Sequence, residues 1–191
     1  MNARTLILAA LASAPLLAAG STVSGKVEST PPKYLEDTVI YLKEAPPPAA
    51  PRTFNMDQKG MKFIPHILAI AVGDTVKFLN HDGVDHNVYT PDGEAYNLGM
   101  IHKDGTGEHK FNKPGSYSQL CSIHPEMLAY VWVGTNAHSA VVGKNGKFEI
   151  KDVPAGTWKI AAWNGHNLKA ADQTVTVTEG KPASANFSVK R

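Results

Sequence analysis

The sequence predicts an all-β protein, and both its turn residues and its hydrophobic pattern support this fold class. Gly, Pro, Asn and Asp recur about every eight to twelve residues, a spacing typical of the turns in sandwiches and barrels. The segments between them alternate apolar and polar residues with a period of two, whereas no long segment has the period of about 3.6 of an amphipathic helix. We therefore expect short strands, joined by turns, in a sandwich or a barrel.

Residues 1–20 have the pattern of a secretory signal peptide. Arg4 precedes an apolar run from Leu6 to Ala19, and the run ends in small residues. Ser13 and Pro15 interrupt this run, and it is shorter than the roughly 20 apolar residues that a membrane-spanning helix needs. We therefore expect cleavage at the end of this segment, a periplasmic or secreted protein, and no membrane span.

The remaining chain contains several predicted strands, which follow one another with turn residues between them. The segment VSGKVE, which follows the signal sequence, is the first predicted strand. The later strands are residues 38–42 (TVIYL), 69–78 (AIAVGDTVKF), 130–133 (YVWV), 148–150 (FEI), 158–163 (WKIAAW) and 174–178 (TVTVT).

The composition changes at two places, and these changes predict the domain organisation. Residues 45–51 (APPPAAP) form a stiff connector because proline cannot donate to a strand ladder, and residues 135–139 (TNAHS) form a second break. We predict that residues 21–50 and 137–191 complete one sandwich, into which residues 51–136 are inserted as a second domain. In the alternative arrangement, the first two strands join the middle domain and the two domains follow one another.

Charge and cysteine content exclude several classes of protein. The formal net charge is only +2, which argues against nucleic acid or an anionic membrane surface as the partner. The chain has one cysteine, Cys121, which cannot form an internal disulfide even in an oxidising compartment. This cysteine therefore needs another explanation.

The segment CSIHPEM supplies that explanation, since it places Cys121, His124 and Met127 at intervals of three on one short loop. A thiolate, two imidazoles and a thioether are the ligands that suit copper in an electron-transfer site. The second imidazole must come from elsewhere, and His86 after a predicted strand is the best candidate, with His81 as the alternative. The sequence therefore predicts one mononuclear copper site.

Residues 54–133 resemble the cupredoxins, the blue copper proteins that include plastocyanin, pseudoazurin and amicyanin. The resemblance is carried by GDTVKFLNHD, HNV, KPGSY, and CSIHPEM followed by AYVWV, and the Cys-x-x-His-x-x-Met spacing is similar to the short loop of amicyanins. It implies a Greek-key β-sandwich and one type 1 copper per chain. The implied ligands are His86, Cys121, His124 and Met127, with Asn87 holding the ligand strands together beside the thiolate.

The tail of the chain resembles a different family. Residues 146–163 are similar to the GxFxIxxVPxGxYxxxAW pattern of carboxypeptidase-regulatory and transthyretin-like sandwiches, with Trp158 where tyrosine is usual. This resemblance implies a docking or structural role. Together, the two resemblances are those of secreted, methylamine-utilisation-like cupredoxins.

The resemblance to cupredoxins implies an electron carrier rather than an enzyme. No His-x-His pair is present, although catalytic copper sites in oxidases and nitrite reductases need such histidines. The expected partners are redox proteins such as a c-type cytochrome, a dehydrogenase or a copper reductase. One alternative is a copper-binding and delivery protein of the cell envelope, and another is an interaction module whose copper only stabilises the fold.

Overall fold

The computed structural model describes residues 20–48 and 50–191, so the predicted signal peptide falls, except for Gly20, outside the described residues. The described chain is built almost entirely of strands, as predicted, with one short 3-10 helix at Pro32–Tyr34. Within these residues, no helix is both long enough and apolar enough to cross a bilayer. The strands are β1 (Ser21–Ser29), β2 (Thr38–Leu42), β3 (Thr53–Gln58), β4 (Phe63–Ile64), β5 (Ile67–Ala71), β6 (Thr75–Asn80), β7 (His86–Thr90), β8 (Tyr96–Ile101), β9 (Thr106–Lys110), β10 (Gly115–Leu120), β11 (Leu128–Gly134), β12 (Ser139–Val141), β13 (Lys147–Val153), β14 (Gly156–Asn164), β15 (Gln173–Val177), β16 (Ala183–Ser184) and β17 (Phe187–Val189).

Strands β3 to β11 form two sheets around one core, which we call the central sandwich. One sheet has the order β5-β11-β10-β7-β8 and the other has the order β4-β3-β6-β9. The pairs β5/β11 and β3/β6 are parallel, whereas the other pairs are antiparallel. Apolar residues at alternate positions of these strands point between the sheets; they include Met56, Phe78, Val88, Tyr117 and Val131.

The remaining strands form two more sheets, which we call the terminal sandwich. In the first sheet, β1 pairs with β13, β16 and β17, and the second has the order β12-β2-β14-β15. A separate core lies between them and includes Val23, Ile40, Ile150, Ile160 and Phe187. The strands that precede the central sandwich in the chain therefore pair with strands that follow it, and β1 and β2 do not join the central sheets. The domain boundaries at residues 51 and 136 stay predictions.

Aromatic side chains pack the two sandwiches against each other. Tyr41 of β2 lies against Trp132 of β11, with 4.5 Å between ring centroids, and Trp163 of β14 meets Tyr130 of β11 at 5.7 Å. Trp132 is buried in a small cluster with Val39 and Ile67, and the other three rings are partly buried and pack against this cluster. Because large rings bury much apolar area, this layer stabilises the contact between the terminal sandwich and β11.

The predicted strand over residues 69–78 is wrong, because the segment is two strands in different sheets. β5 ends at Ala71 and β6 begins at Thr75. Gly73 between them has a φ of 93°, a conformation that glycine adopts readily, and the Asp74 carboxylate accepts the backbone N–H of Ala71. The alternating pattern thus continues across a turn, and the turn moves the chain from one sheet to the other.

Candidate metal centre

Two neighbouring strands and one loop bring three of the four predicted ligands, His86, Cys121 and His124, together. His86 is the first residue of β7, and Cys121 comes directly after β10. These strands pair through Leu120 and Tyr89, so the beginning of one strand lies beside the end of the other. His124 follows on the loop that leads from β10 to β11.

Three donor atoms converge at this point. Nδ1 of His86 lies 3.0 Å from Nδ1 of His124, and Sγ of Cys121 lies 4.0 Å and 3.7 Å from these two nitrogens. With zinc–ligand bond lengths as a guide, two nitrogens on one ion are about 3.0–3.5 Å apart, and a thiolate is about 3.6–3.9 Å from each. The three residues therefore fit around a single metal ion. In the described part of the chain, this is the one group of three or more His, Cys, Asp or Glu residues whose donor atoms all lie within 4.8 Å of one another.

The burial of the three residues differs. His86 is fully buried and the Cys121 side chain is 3% exposed, whereas His124 is half-buried. The sulfur of Cys121 and one imidazole are thus shielded from water, while the imidazole of His124 is partly exposed.

Met127 ends the same loop. Its side chain is 1% exposed and belongs to the same core cluster as Cys121. Its backbone N–H donates to the carbonyl oxygen of His124 at 3.0 Å, which closes the loop into a tight turn. Glu126, a possible competing donor, is exposed to solvent.

Asn87 connects the strand ligand to the ligand loop, as the resemblance implies. Its backbone N–H donates to Sγ of Cys121 at 3.4 Å. Its side-chain Nδ2 donates to Asn97 and to the carbonyl oxygen of Gly99, and its Oδ1 accepts the N–H of Ser122 at 3.3 Å. Asn87 thus connects β7 both to β8 and to the loop that carries Cys121.

We expect Asn87→Ala to lower the free energy of unfolding by about 2 kcal/mol, because the buried amide of Asn87 satisfies groups on β8 and on the ligand loop. Urea unfolding measures this loss. The exposed neighbour Ser122 provides the control, since Ser122→Ala keeps the backbone N–H that Asn87 binds. Equal stability of the two variants would contradict a structural role for the Asn87 amide.

Asp82, which no sequence motif indicated, contacts the predicted ligand His86. Its Oδ2 lies 2.7 Å from Nε2 of His86, and its carboxylate also accepts the backbone N–H groups of Gly60 and Met61. Burial of Asp82 opposes its charged form, but the hydrogen bonds from Met61, His86 and Gly60 hold the pKa of Asp82 below its usual value. In the tautomer of His86 that donates from Nε2 to this carboxylate, Nδ1 would be free for a metal.

His81, the alternative ligand, does not join the group. Its Nδ1 pairs with the Asp57 carboxylate at 2.9 Å, and half of its side chain is exposed.

The only sequence signal for Asp82 is its position four residues before His86 in HDGVDH, and that spacing has many other causes.

The chain is similar in sequence to known copper proteins. Residues 51–134 match the family of copper binding proteins described as plastocyanin/azurin. The chain is 29% identical to an amicyanin of Paracoccus versutus over 140 residues, which is 70% of this chain and 98% of the amicyanin. It is 32% identical to amicyanin-alpha of Methylorubrum extorquens over 77 residues, 38% of this chain and 65% of that protein. A solved structure of a reduced amicyanin variant is 30% identical, covers 42% of this chain and 81% of its own, and has a TM-score of 0.41.

Proposed function

Because residues 51–134 form a cupredoxin domain of the plastocyanin/azurin family, we propose that this protein carries single electrons between redox partners and is not itself an enzyme. The proposed type 1 copper site consists of His86, Cys121, His124 and Met127. The observation that carries the proposal is the convergence of Nδ1 of His86, Sγ of Cys121 and Nδ1 of His124 at distances that suit one ion.

The residues of the site have separate roles. Cys121 would supply a thiolate to the copper, His86 and His124 would supply imidazole nitrogens, and Met127 would supply a weakly bound thioether. Copper, when bound, would alternate between Cu(II) and Cu(I). The buried strand and the tight loop would hold these donors in one arrangement in both states.

The surface around His124 suits brief contacts with a redox partner. Pro125 is exposed beside it, and Met100, which is 48% exposed, lies on β8 opposite Asn87. Such contacts bury little area, which allows the partners to separate quickly. Suitable partners are a c-type cytochrome, a dehydrogenase or a copper reductase.

We place this activity in the periplasm or outside the cell, because residues 1–20 have the pattern of a signal peptide. We further propose that the terminal sandwich is transthyretin-like and has a structural or docking role. Its core is separate from that of the central sandwich, and the three converging donor atoms all lie outside it.

Visible spectroscopy and voltammetry of the purified copper-loaded protein test the proposed function. An electron carrier shows an intense thiolate-to-copper absorption band and a reversible potential. The alternative, copper delivery, predicts a colourless protein that binds only Cu(I) and transfers it to an acceptor. A colourless protein that transfers Cu(I) would contradict the proposed electron carrier and support copper delivery.

We expect Met127→Leu to keep the absorption band but raise the reduction potential, because the thioether favours oxidised copper. Cyclic voltammetry measures this change. Met56 is a matched control, since it is a fully buried methionine of the same core and Met56→Leu keeps a similar volume. If the two variants have the same potential, Met127 only fills space in the core.

A further inference from the structure

A carboxylate of the terminal sandwich lies between two imidazoles, one from each sandwich. Oδ2 of Asp37 is 2.8 Å from Nε2 of His166, and Oδ1 of Asp37 is 3.4 Å from Nε2 of His66. Asp37 precedes β2 and His166 follows β14, so both belong to the terminal sandwich, whereas His66 precedes β5 in the central sandwich. The contact between Asp37 and His66 therefore crosses from one sandwich to the other.

The terminal sandwich fixes Asp37 independently of this contact. The carbonyl oxygen of Asp37 accepts the N–H of Gly165 at 3.0 Å, and the ring of His166 stacks on Tyr34 with 3.7 Å between centroids. The Asp37 side chain is only 13% exposed. The carboxylate thus has a defined position beside the imidazole of His66.

His66 connects this carboxylate to the copper site. Its carbonyl oxygen accepts the N–H of Tyr130 at 2.8 Å near the beginning of β11, three residues after Met127. His66 and Met127 also line the same pocket of about 440 Å³, together with Phe63 and Leu128. A change in the position of His66 therefore reaches the surroundings of Met127.

Electrostatics and packing support the same connection. Burial raises the pKa of Tyr130, and the negative charges of Asp37 and Asp92 raise it further. The ring contact between Tyr130 and Trp163 holds this part of β11 against the terminal sandwich. The two sandwiches are thus in contact near the beginning of β11, where the ligand loop ends.

We propose that Asp37 is a positioning residue: by holding His66, it fixes the pocket wall beside Met127 and couples the terminal sandwich to the reduction potential of the copper site. The effect on the potential rests on the proposed function, whereas the effect on the surroundings of Met127 does not. If the terminal sandwich shifts and the contact between Asp37 and His66 is lost, the thioether of Met127 is held less firmly. Because a thioether favours oxidised copper, weaker donation from Met127 would raise the reduction potential of the copper.

The first experiment compares Asp37→Asn with Asp172→Asn in apo-protein whose methionine methyl groups carry ¹³C. Asp172 is the matched control because it pairs with Lys43 at 2.8 Å within the terminal sandwich, so both variants lose one negative charge from that sandwich. We expect the methyl resonance of Met127 to move in Asp37→Asn and to stay in place in Asp172→Asn, while that of Met56 stays in both. An unmoved Met127 resonance in Asp37→Asn would overturn the proposal.

The second experiment measures the reduction potential of the copper-loaded variants. We expect Asp37→Asn to raise the potential while the visible band persists, and Asp172→Asn to leave it unchanged. In a His66→Gln background, Asp37→Asn should cause no further rise, because Asp37 acts through His66. Additive shifts would show instead that the charge acts through space and would overturn the proposed role of His66. A wild-type protein without a thiolate-to-copper band would refute the proposed function, but the methyl resonances would still decide the coupling.

Discussion

Cys121→Ser is expected to abolish the intense visible band of the copper-loaded protein and to lower its affinity for copper strongly. The band arises from the soft thiolate, and a hydroxyl is a poor replacement as a copper ligand. The fold should persist, because serine is close in volume to cysteine and the N–H of Asn87 that faces Sγ can donate to a hydroxyl. Absorption spectroscopy and copper titration measure the two losses.

Ser122→Ala is the control for this variant. Ser122 is the exposed neighbour of Cys121 on the same loop, and its side chain is not among the converging donors. This variant should keep both the band and the affinity. A persistent band in Cys121→Ser would refute the thiolate as a ligand and, with it, the type 1 site.

The sequence predicted the part of the site that is local along the chain. Cys121 and His124 lie on one short loop, and an interval of three in a tight turn brings their donor atoms together. The role of Met127, at the next interval of three, stays a prediction. His86 was the best candidate for the second imidazole, but its approach to Cys121 depends on the pairing of β7 with β10, which no local pattern shows.

The sequence did not predict contacts that depend on how distant segments meet. Asp82 is held by the N–H groups of Gly60 and Met61, which come from the turn after β3. The contact of Asp37 with His66 exists only because the terminal sandwich packs beside β11. Periodicity reports which side of a strand is buried, but it carries no information on which side chains of other segments will cover that side.

The same limit explains why one strand was wrongly predicted over residues 69–78, since the turn within this segment depends on contacts with the distant residue Arg52. Asp74 in the turn between β5 and β6 is fully buried. Its Oδ1 accepts the N–H of Arg52 at 2.7 Å, and its Oδ2 accepts Nη2 of Arg52 and the N–H of Ala71, both at 2.9 Å. One carboxylate thus joins the connector before β3 to the turn that moves the chain between the two sheets.

We expect Asp74→Ala to lower the free energy of unfolding of the central sandwich by about 3–5 kcal/mol, since it leaves two backbone N–H groups without their acceptor and a guanidinium without its partner. For a chain of this size, the midpoint of thermal unfolding should fall by about 10 °C. Calorimetry of the apo-protein measures both quantities without any contribution from copper.

Arg52→Ala separates the two contributions of Asp74. The Arg52 side chain is 44% exposed and lies over the ring of Phe54, so its removal should cost only about 1 kcal/mol. The backbone N–H groups of residues 52 and 71 keep their acceptor in this variant. A loss in Asp74→Ala no larger than that in Arg52→Ala would mean that the exposed ion pair, and not the buried acceptor, stabilises the turn.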